Sequence, residues 1–491
     1  MRNFNYSRLS IILLLSALMP AATLAQDNHY ETNMLGPRNG ALVNAGIARF
    51  EDQTAVFMNP ATLSQASGSS FNFNAITGGL SNIKFNNGLG QGISLKAAGF
   101  NVLPNMAAGV LKPKKSEKDF VLGYALYHKL NDHVLLTDRR ETNEYNVIPD
   151  NESPGKEYYS GEYHLDKDLD EVNMVLGLGW SLNDKINIGV SQTFGYHSET
   201  YRDYFNAITT PLPGATSSVD VVSARQDVFL TYYKAFTQTM IGMTAQLGKW
   251  DLGIVVQTPV IGVFGKGQMM GDLGLTNVRL SGNPADPRKS YRGNGYYNKL
   301  KATYKTPWYV GLGLSRQFGK VRWYGALKYY SAVKAYEVMN PGQVGFLLPP
   351  TPESATLTEN LLRVWSSNKS VLNWSIAGDW QISGKRNLMF SFATNMRYMY
   401  PDSLQKGFSM PKKVYNQYMI SLGTKLNFPS SDWVVAVRYA FGKNDHVPQP
   451  YSFYQPTESG LLNGQPGYGT LTSSTILLAL NYTFKFSAKG K

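Results

Sequence analysis

From about residue 68 to the C-terminus, apolar and polar positions alternate in runs of roughly ten to sixteen residues. The last run is the clearest. Ile476, Leu478, Leu480, Tyr482, Phe484 and Phe486 fall on one face, and Leu477, Ala479, Asn481, Thr483 and Lys485 on the other. A period of two with a wholly apolar face is a strand with one side against an apolar medium, either a second sheet or lipid. The pattern predicts strands over 69–79, 94–112, 119–130, 171–182, 185–198, 226–247, 249–260, 305–318, 320–334, 370–382, 386–398, 414–428, 432–442 and 471–486. Their connections alternate strictly. Short ones such as Asn183-Asp184, Gly248 and Gly319 are followed by long ones at 80–93, 131–170, 199–225, 261–304, 335–369, 399–413 and 443–470. Soluble sandwiches do not tolerate so many long loops. Outer-membrane barrels have tight periplasmic turns, long extracellular loops and an even strand count. The expected fold is therefore all-β, a 14-stranded antiparallel transmembrane barrel spanning 68–491. Pro104 is the weak point, because it removes a ladder donor and would split strand 94–112 to give 15.

The N-terminus has a different pattern. Arg2 and Arg8, an apolar run from Leu9 to Met19, and small residues up to Ala25 predict a secretory leader over 1–25. Residues 26–67 show no sustained period of two and are read as short helical turns and loops, a plug within the barrel. No later apolar run is long enough for a membrane-spanning helix.

Composition agrees. The 491 residues contain no Cys, which excludes disulfides and thiolate metal sites. Tyr (31) far outnumbers Trp (8), and charged residues are only 16%. That profile suits aromatic girdles around a barrel. The net charge of +13 is scattered and not gathered into a patch, which argues against nucleic acid.

Within the N-terminal segment, Ala55-Val56-Phe57-Met58-Asn59-Pro60-Ala61-Thr62-Leu63 follows the acidic pair Glu51-Asp52. This string, with the strand-rich remainder, resembles the FadL/TodX family of outer-membrane transporters for long-chain fatty acids and hydrophobic compounds. Leu103-Pro104-Asn105-Met106-Ala107-Ala108, Phe120-Val121-Leu122-Gly123 and Thr306-Pro307-Trp308-Tyr309-Val310-Gly311-Leu312-Gly313 extend the resemblance along the chain. The tail Ser487–Lys491 after Phe486 departs from it, since such barrels commonly end on an aromatic. The resemblance implies a plug carrying the Asn59-Pro60-Ala61 box, loop capture of a hydrophobic ligand, an interior pocket, and sideways release through a gap at a kinked third strand. Gly123 is the candidate for that gap, as the residue there most able to permit a bulge. It implies residence in the outer membrane of a Gram-negative bacterium, as a monomer among lipid and lipopolysaccharide. Some relatives instead serve as binding platforms for an outer-membrane protein export machine. A general porin is the third class, against which the plug speaks.

No phosphate-cradling or HExxH motif occurs, the six His have no metal-ligand spacing, and none pairs with a Ser by register. The reading is a non-enzyme with no metal and no cofactor. The acidic run Asp166–Glu171 is read as a solvated loop before a strand. Strand parity turns Lys328, Arg397 and Arg438 inward, where a cation beside an apolar pocket would hold a carboxylate through a charge-assisted bond. The expected ligand is thus a long-chain fatty acid.

Overall fold

The computed structural model describes residues 29–103, 105–113, 120–279, 285, 287–342, 347–348, 363–398, 408–409 and 414–486. The leader expected at 1–25 lies outside them, as does Pro104.

The strands close into one antiparallel ring. Strand β1 (Ser70–Asn86) pairs with the last strand, β21 (Tyr468–Lys485), from Ser70↔Lys485 to Asn86↔Thr470. The second position is shared by β2 (Leu95–Leu103) and β3 (Met106–Leu111), which pair with the upper and lower parts of β1. Next come β4 (Phe120–Tyr145), β5 (Glu157–Ser181), β6 (Ile186–Pro211), β7 (Val222–Leu247) and β8 (Trp250–Gln257). The ring then leaves sequence order to pick up β11 (Tyr309–Phe318), because β9 (Ile261–Val278) and β10 (Lys289–Lys301) stand above β8 as an extension of β7. It closes through β12 (Val321–Tyr330), β16 (Val371–Ser383), β17 (Arg386–Asn395), β19 (Asn416–Asn427) and β20 (Ser431–Pro448). With β2 and β3 counted as one position, the ring has fourteen strands, so the break beside Pro104 adds a segment but no strand. At the loop end, β13 (Val333–Met339), β15 (Val364–Asn368) and β18 (Phe408–Ser409) form a small separate sheet, and β14 (Leu347–Leu348) adds to β10.

Turn chemistry follows residue type. Gly248-Lys249 and Gly319-Lys320 close two-residue hairpins, with Gly at φ +58° and +55°, the sign such hairpins require. The outward faces carry the apolar alternation. Trp433, Val435, Val437 and Tyr439 are exposed, while Val434, Ala436 and Arg438 between them are buried.

Three expected loops are instead largely strand: β9 and β10 fill most of 261–304, and the other two belong to lengthened wall strands. β4 to β7 run for 26, 25, 26 and 26 residues, far beyond the ten or so that cross a bilayer. Most of 131–170 and 199–225 belongs to them. Tyr159, Tyr163, Leu165, Lys167, Leu169 and Glu171 still alternate inward, but the opposite face is charged, so no apolar outer stripe marks the strand. The acidic run is part of β5: Lys167 and Glu171 are buried inside, and Asp166, Asp168 and Asp170 face out.

Residues 29–66 lie inside the ring, since wall groups from all sides hold them. Arg438 of β20 donates to Gly40 O (2.7 Å), Ser391 of β17 to Ala41 O (2.7 Å), and Lys328 of β12 meets Glu31 (2.6 Å). On the other side Asn33 donates to His128 O in β4 (3.0 Å) and Gln65 to Thr244 in β7 (3.1 Å).

Candidate functional site

The inner segment is seated on glycine. Ala55–Met58 is one helical turn, Asn59 is extended (φ −158°, ψ 101°), and Pro60–Gln65 is a 3-10 turn with Pro at its first position, where no donor is needed. Asn59 is fully buried. Its Oδ1 accepts from Ala61 N (3.1 Å), capping the turn, and its Nδ2 donates to Ile47 O (2.8 Å), tying two stretches of the segment together. Six consecutive wall strands present Gly here. A Cβ on Gly123 (β4) would come within 2.8 Å of Leu63, and one on Gly179 (β5) within 2.5 Å of Pro60 O. On Gly189 (β6) it would overlap the Pro60–Ala61 peptide, on Gly242 (β7) Asn59 Oδ1, and on Gly253 (β8) and Gly313 (β11) the Ile47–Ala48 backbone. The segment's backbone touches the wall because the wall has no side chains at that level.

Above this seat lies a cavity of ≈ 170 Å³. Its floor is Tyr30, Leu35, Phe57 and Met58; its walls include Tyr127, Leu130, Met240, Tyr309 and Tyr330; its roof is Tyr304, Tyr336 and Tyr398. Tyr30 is stacked between Tyr330 (3.9 Å) and Tyr398 (4.3 Å), and Phe57 on Tyr127 (4.2 Å). The charges in this box are compensated. Glu31 receives Lys328 and Asn44 (3.2 Å). Glu171 receives Lys129 (2.9 Å), Tyr304 (2.8 Å) and His197 (3.3 Å), and His197 reaches Tyr232 (3.2 Å), which donates to Glu199 (2.7 Å). What remains facing the void are aromatic and aliphatic side chains, neutral amides such as Gln238 and Asn368, and Lys305.

A second void of ≈ 360 Å³ passes through the wall. β4 pairs with β3 only up to Tyr127↔Met106, and His128 N bonds Asn105 O just above. Beyond that level, among the described residues, β2 and β4 share no ladder. Gly99 and Phe100 line one side of the opening, Asn131, Asp132 and His133 the other, with Tyr415, Ser473 and Thr475 behind. His29 borders both voids; its Nε2 lies 2.9 Å from Tyr415 O.

The sequence-derived candidates fall as follows. Asn59, Pro60 and Ala61 sit on the glycine seat. Gly123 lies in unbroken ladders, opposite Val110 and Gly177, with Leu63 packed on it. The β4–β5 register shifts at His128/Leu130 instead, and the strand discontinuity is in the second strand, where Pro104 stands. Lys328 and Arg438 are inward and buried, as parity requires, but they do not form a shared clamp with Arg397. Lys328 is neutralised by Glu31, Arg438 is spent on Gly40 O and Asn33 O (3.3 Å), and Arg397, past the end of β17, donates to Val414 O (2.9 Å). Parity gives direction, not occupancy, and the inner segment occupies Lys328 and Arg438.

No family model matches the chain, and no curated protein does either. Solved structures do. A Pseudomonas aeruginosa FadL homologue aligns over 94% of this chain and 100% of its own, at TM-score 0.56 and 12% identity. The chain has the FadL/TodX fold. The Pseudomonas putida toluene transporter TodX covers 94% and 100% at TM-score 0.53 and 14% identity, and the Ralstonia pickettii toluene transporter TbuX 93% and 99% at 0.51 and 12%.

Within this FadL-type barrel, one feature escaped sequence reading although its signal was present. Gly177-Leu178-Gly179 and Gly311-Leu312-Gly313 alternate Gly inward with Leu outward, which is the period-two signature of a wall that must admit backbone. Lys305, which lines the cavity roof, had no such signal.

Proposed function

We propose that this chain carries hydrophobic molecules, long-chain fatty acids foremost, across the outer membrane of a Gram-negative bacterium. The ligand enters from the long-loop, extracellular end, rests in the aromatic cavity, and leaves sideways into the membrane through the opening between β2 and β4. The carrying observation is the pair of voids that meet at His29, one inside the barrel and one through its wall. A ligand shed sideways never has to be hydrated, which a straight aqueous channel would demand. Residues 26–67 act as a plug that closes the straight route, and residues 68–491 as the barrel. A leader over 1–25 directs export. The chain works as a monomer, with membrane lipid and lipopolysaccharide around it.

The fatty-acid reading rests on Lys305. Its ammonium stands 5.2 Å from the Tyr336 ring, and no carboxylate among the described residues pairs with it. It is the cavity cation left for a carboxylate headgroup, in place of the Lys328, Arg397 and Arg438 set. The TodX- and TbuX-like fold also suits a neutral aromatic ligand, and the test separates the two.

The test is uptake of radiolabelled oleate and of toluene by a strain lacking its own transporter, with this chain supplied. Gly99→Trp, which narrows the wall opening, should abolish uptake of both. Lys305→Met should reduce oleate uptake about tenfold and leave toluene unchanged, one charge-assisted bond being worth about that much. Full uptake by Gly99→Trp would refute sideways release. Equal loss of both ligands in Lys305→Met would refute the carboxylate role.

A further inference from the structure

The outer wall carries a concavity of ≈ 910 Å³ over β7, β8, β11, β12 and β16, on the face opposite the lumen. Cross-strand register explains it. One outward row reads Ala245, Leu252, Leu314, Gly325, Ile376. At Gly325 a Cβ would meet nothing within 4 Å, so the belt has a notch there, bounded by Trp323 below and by Leu327 and Trp374 above. One row toward the short turns, Arg316 stands between Trp250 and Trp323, also facing out. Its guanidinium lies 4.7 Å from the Trp250 ring and 4.4 Å from the Phe318 ring, and its buried Nε has no hydrogen-bond partner. By contrast, Arg322 pairs with Asp251 (3.0 Å) and Lys425 with Asp432 (3.0 Å) at this end. Arg316 has no carboxylate partner among the described residues, nor have Lys249 and Lys320 in the turns beneath it.

We propose that this groove is a binding site for one anionic glycerophospholipid of the periplasmic leaflet. An acyl chain fills the Gly325 notch, and the phosphodiester sits on Arg316, with Lys249 and Lys320 in reach of the headgroup. A guanidinium held flat by two rings at the membrane edge offers two parallel donors, the geometry a phosphate accepts. Interfacial cations favour anionic headgroups by about fivefold each. Below an apolar groove, that charge selects an amphiphile and not a free ion. The site rests on the proposed membrane placement but not on the transport reading, since it lies on the outer face, across the wall from the ligand cavity.

The test is native mass spectrometry of the full chain released from nanodiscs of phosphatidylcholine doped with phosphatidylglycerol. The wild type should retain one phosphatidylglycerol per barrel, enriched at least fivefold over its share of the bilayer. Arg316→Gln should lose that enrichment. Gly325→Leu should lose the retained lipid while keeping heat-modifiable migration, the sign of an intact barrel. Equal retention by wild type and Gly325→Leu would overturn the site, as would a wild type with no headgroup preference, or one retaining a second copy of the chain in place of lipid. Failure to enter nanodiscs at all would overturn the membrane placement and this site with it.

Discussion

Replacing Asn59 by alanine tests how the inner segment is held. Two contacts are lost. The Oδ1 bond to Ala61 N (3.1 Å) caps the 3-10 turn, and such caps contribute about 1 kcal/mol. The Nδ2 bond to Ile47 O (2.8 Å) is buried, and removing the donor strands that carbonyl at about 1–3 kcal/mol. The longer approaches to Met243 O and Ile254 O, both 3.4 Å, are too weak to add much. The total, ~2–4 kcal/mol, raises local opening of the segment roughly 30- to 700-fold. Amide hydrogen exchange reads this directly, as local opening free energy. In detergent, amides of Ala61, Thr62 and Ala66 should exchange faster by that factor, while wall amides such as Val435 keep wild-type protection. Oleate uptake should fall in parallel. A change below about threefold at Ala61 and Thr62 would refute the reasoning, because it would mean that the turn is held by Pro60 and packing alone.

Gly189→Ala should displace the Pro60–Ala61 peptide, at about 1–3 kcal/mol for overpacking, and so mimic Asn59→Ala in hydrogen exchange; Gly274→Ala, with open space around it, should change nothing. Arg38→Met leaves the buried carboxylates of Glu51 and Asp379 without the guanidinium between them, and should lower the melting temperature by the equivalent of about 3–5 kcal/mol. A pH effect belongs to Asp203, in the part of β6 above the apolar belt. Burial pushes its carboxyl up to about 6 although Tyr201 (3.0 Å), Tyr451 (3.1 Å) and Tyr163 (3.2 Å) all donate to it. A folded value above the unfolded one near 4 means that the stabilisation is complete below about pH 4 and is lost as pH rises through about 6. The 449–467 segment, attached through Tyr451, should therefore be better protected from proteolysis at pH 4.5 than at pH 7.5, and Asp203→Asn should erase the difference.

What the sequence determined by itself is what depends on local periodicity. Alternation along 432–442 and 471–486, with short and long connections in strict turn, yields the strand count, the outward faces and the inward direction of Lys328 and Arg438, because a strand's side-chain period is set by its own backbone. It missed the upper halves of β4, β5 and β6, where water and not lipid lies outside and the outer face is polar. Register and occupancy needed the closed ring. Only there do Gly123, Gly179, Gly189, Gly242, Gly253 and Gly313, up to 190 positions apart (313 − 123), come to one level to seat Ile47–Ala48, Asn59–Pro60 and Leu63. The same closure gives Lys328 to Glu31 and leaves Lys305 facing the cavity. It also places the wall opening at the β2–β3 break and not at Gly123. A wall gap is a property of two strands failing to meet, and no single strand's sequence records whether its neighbour is there.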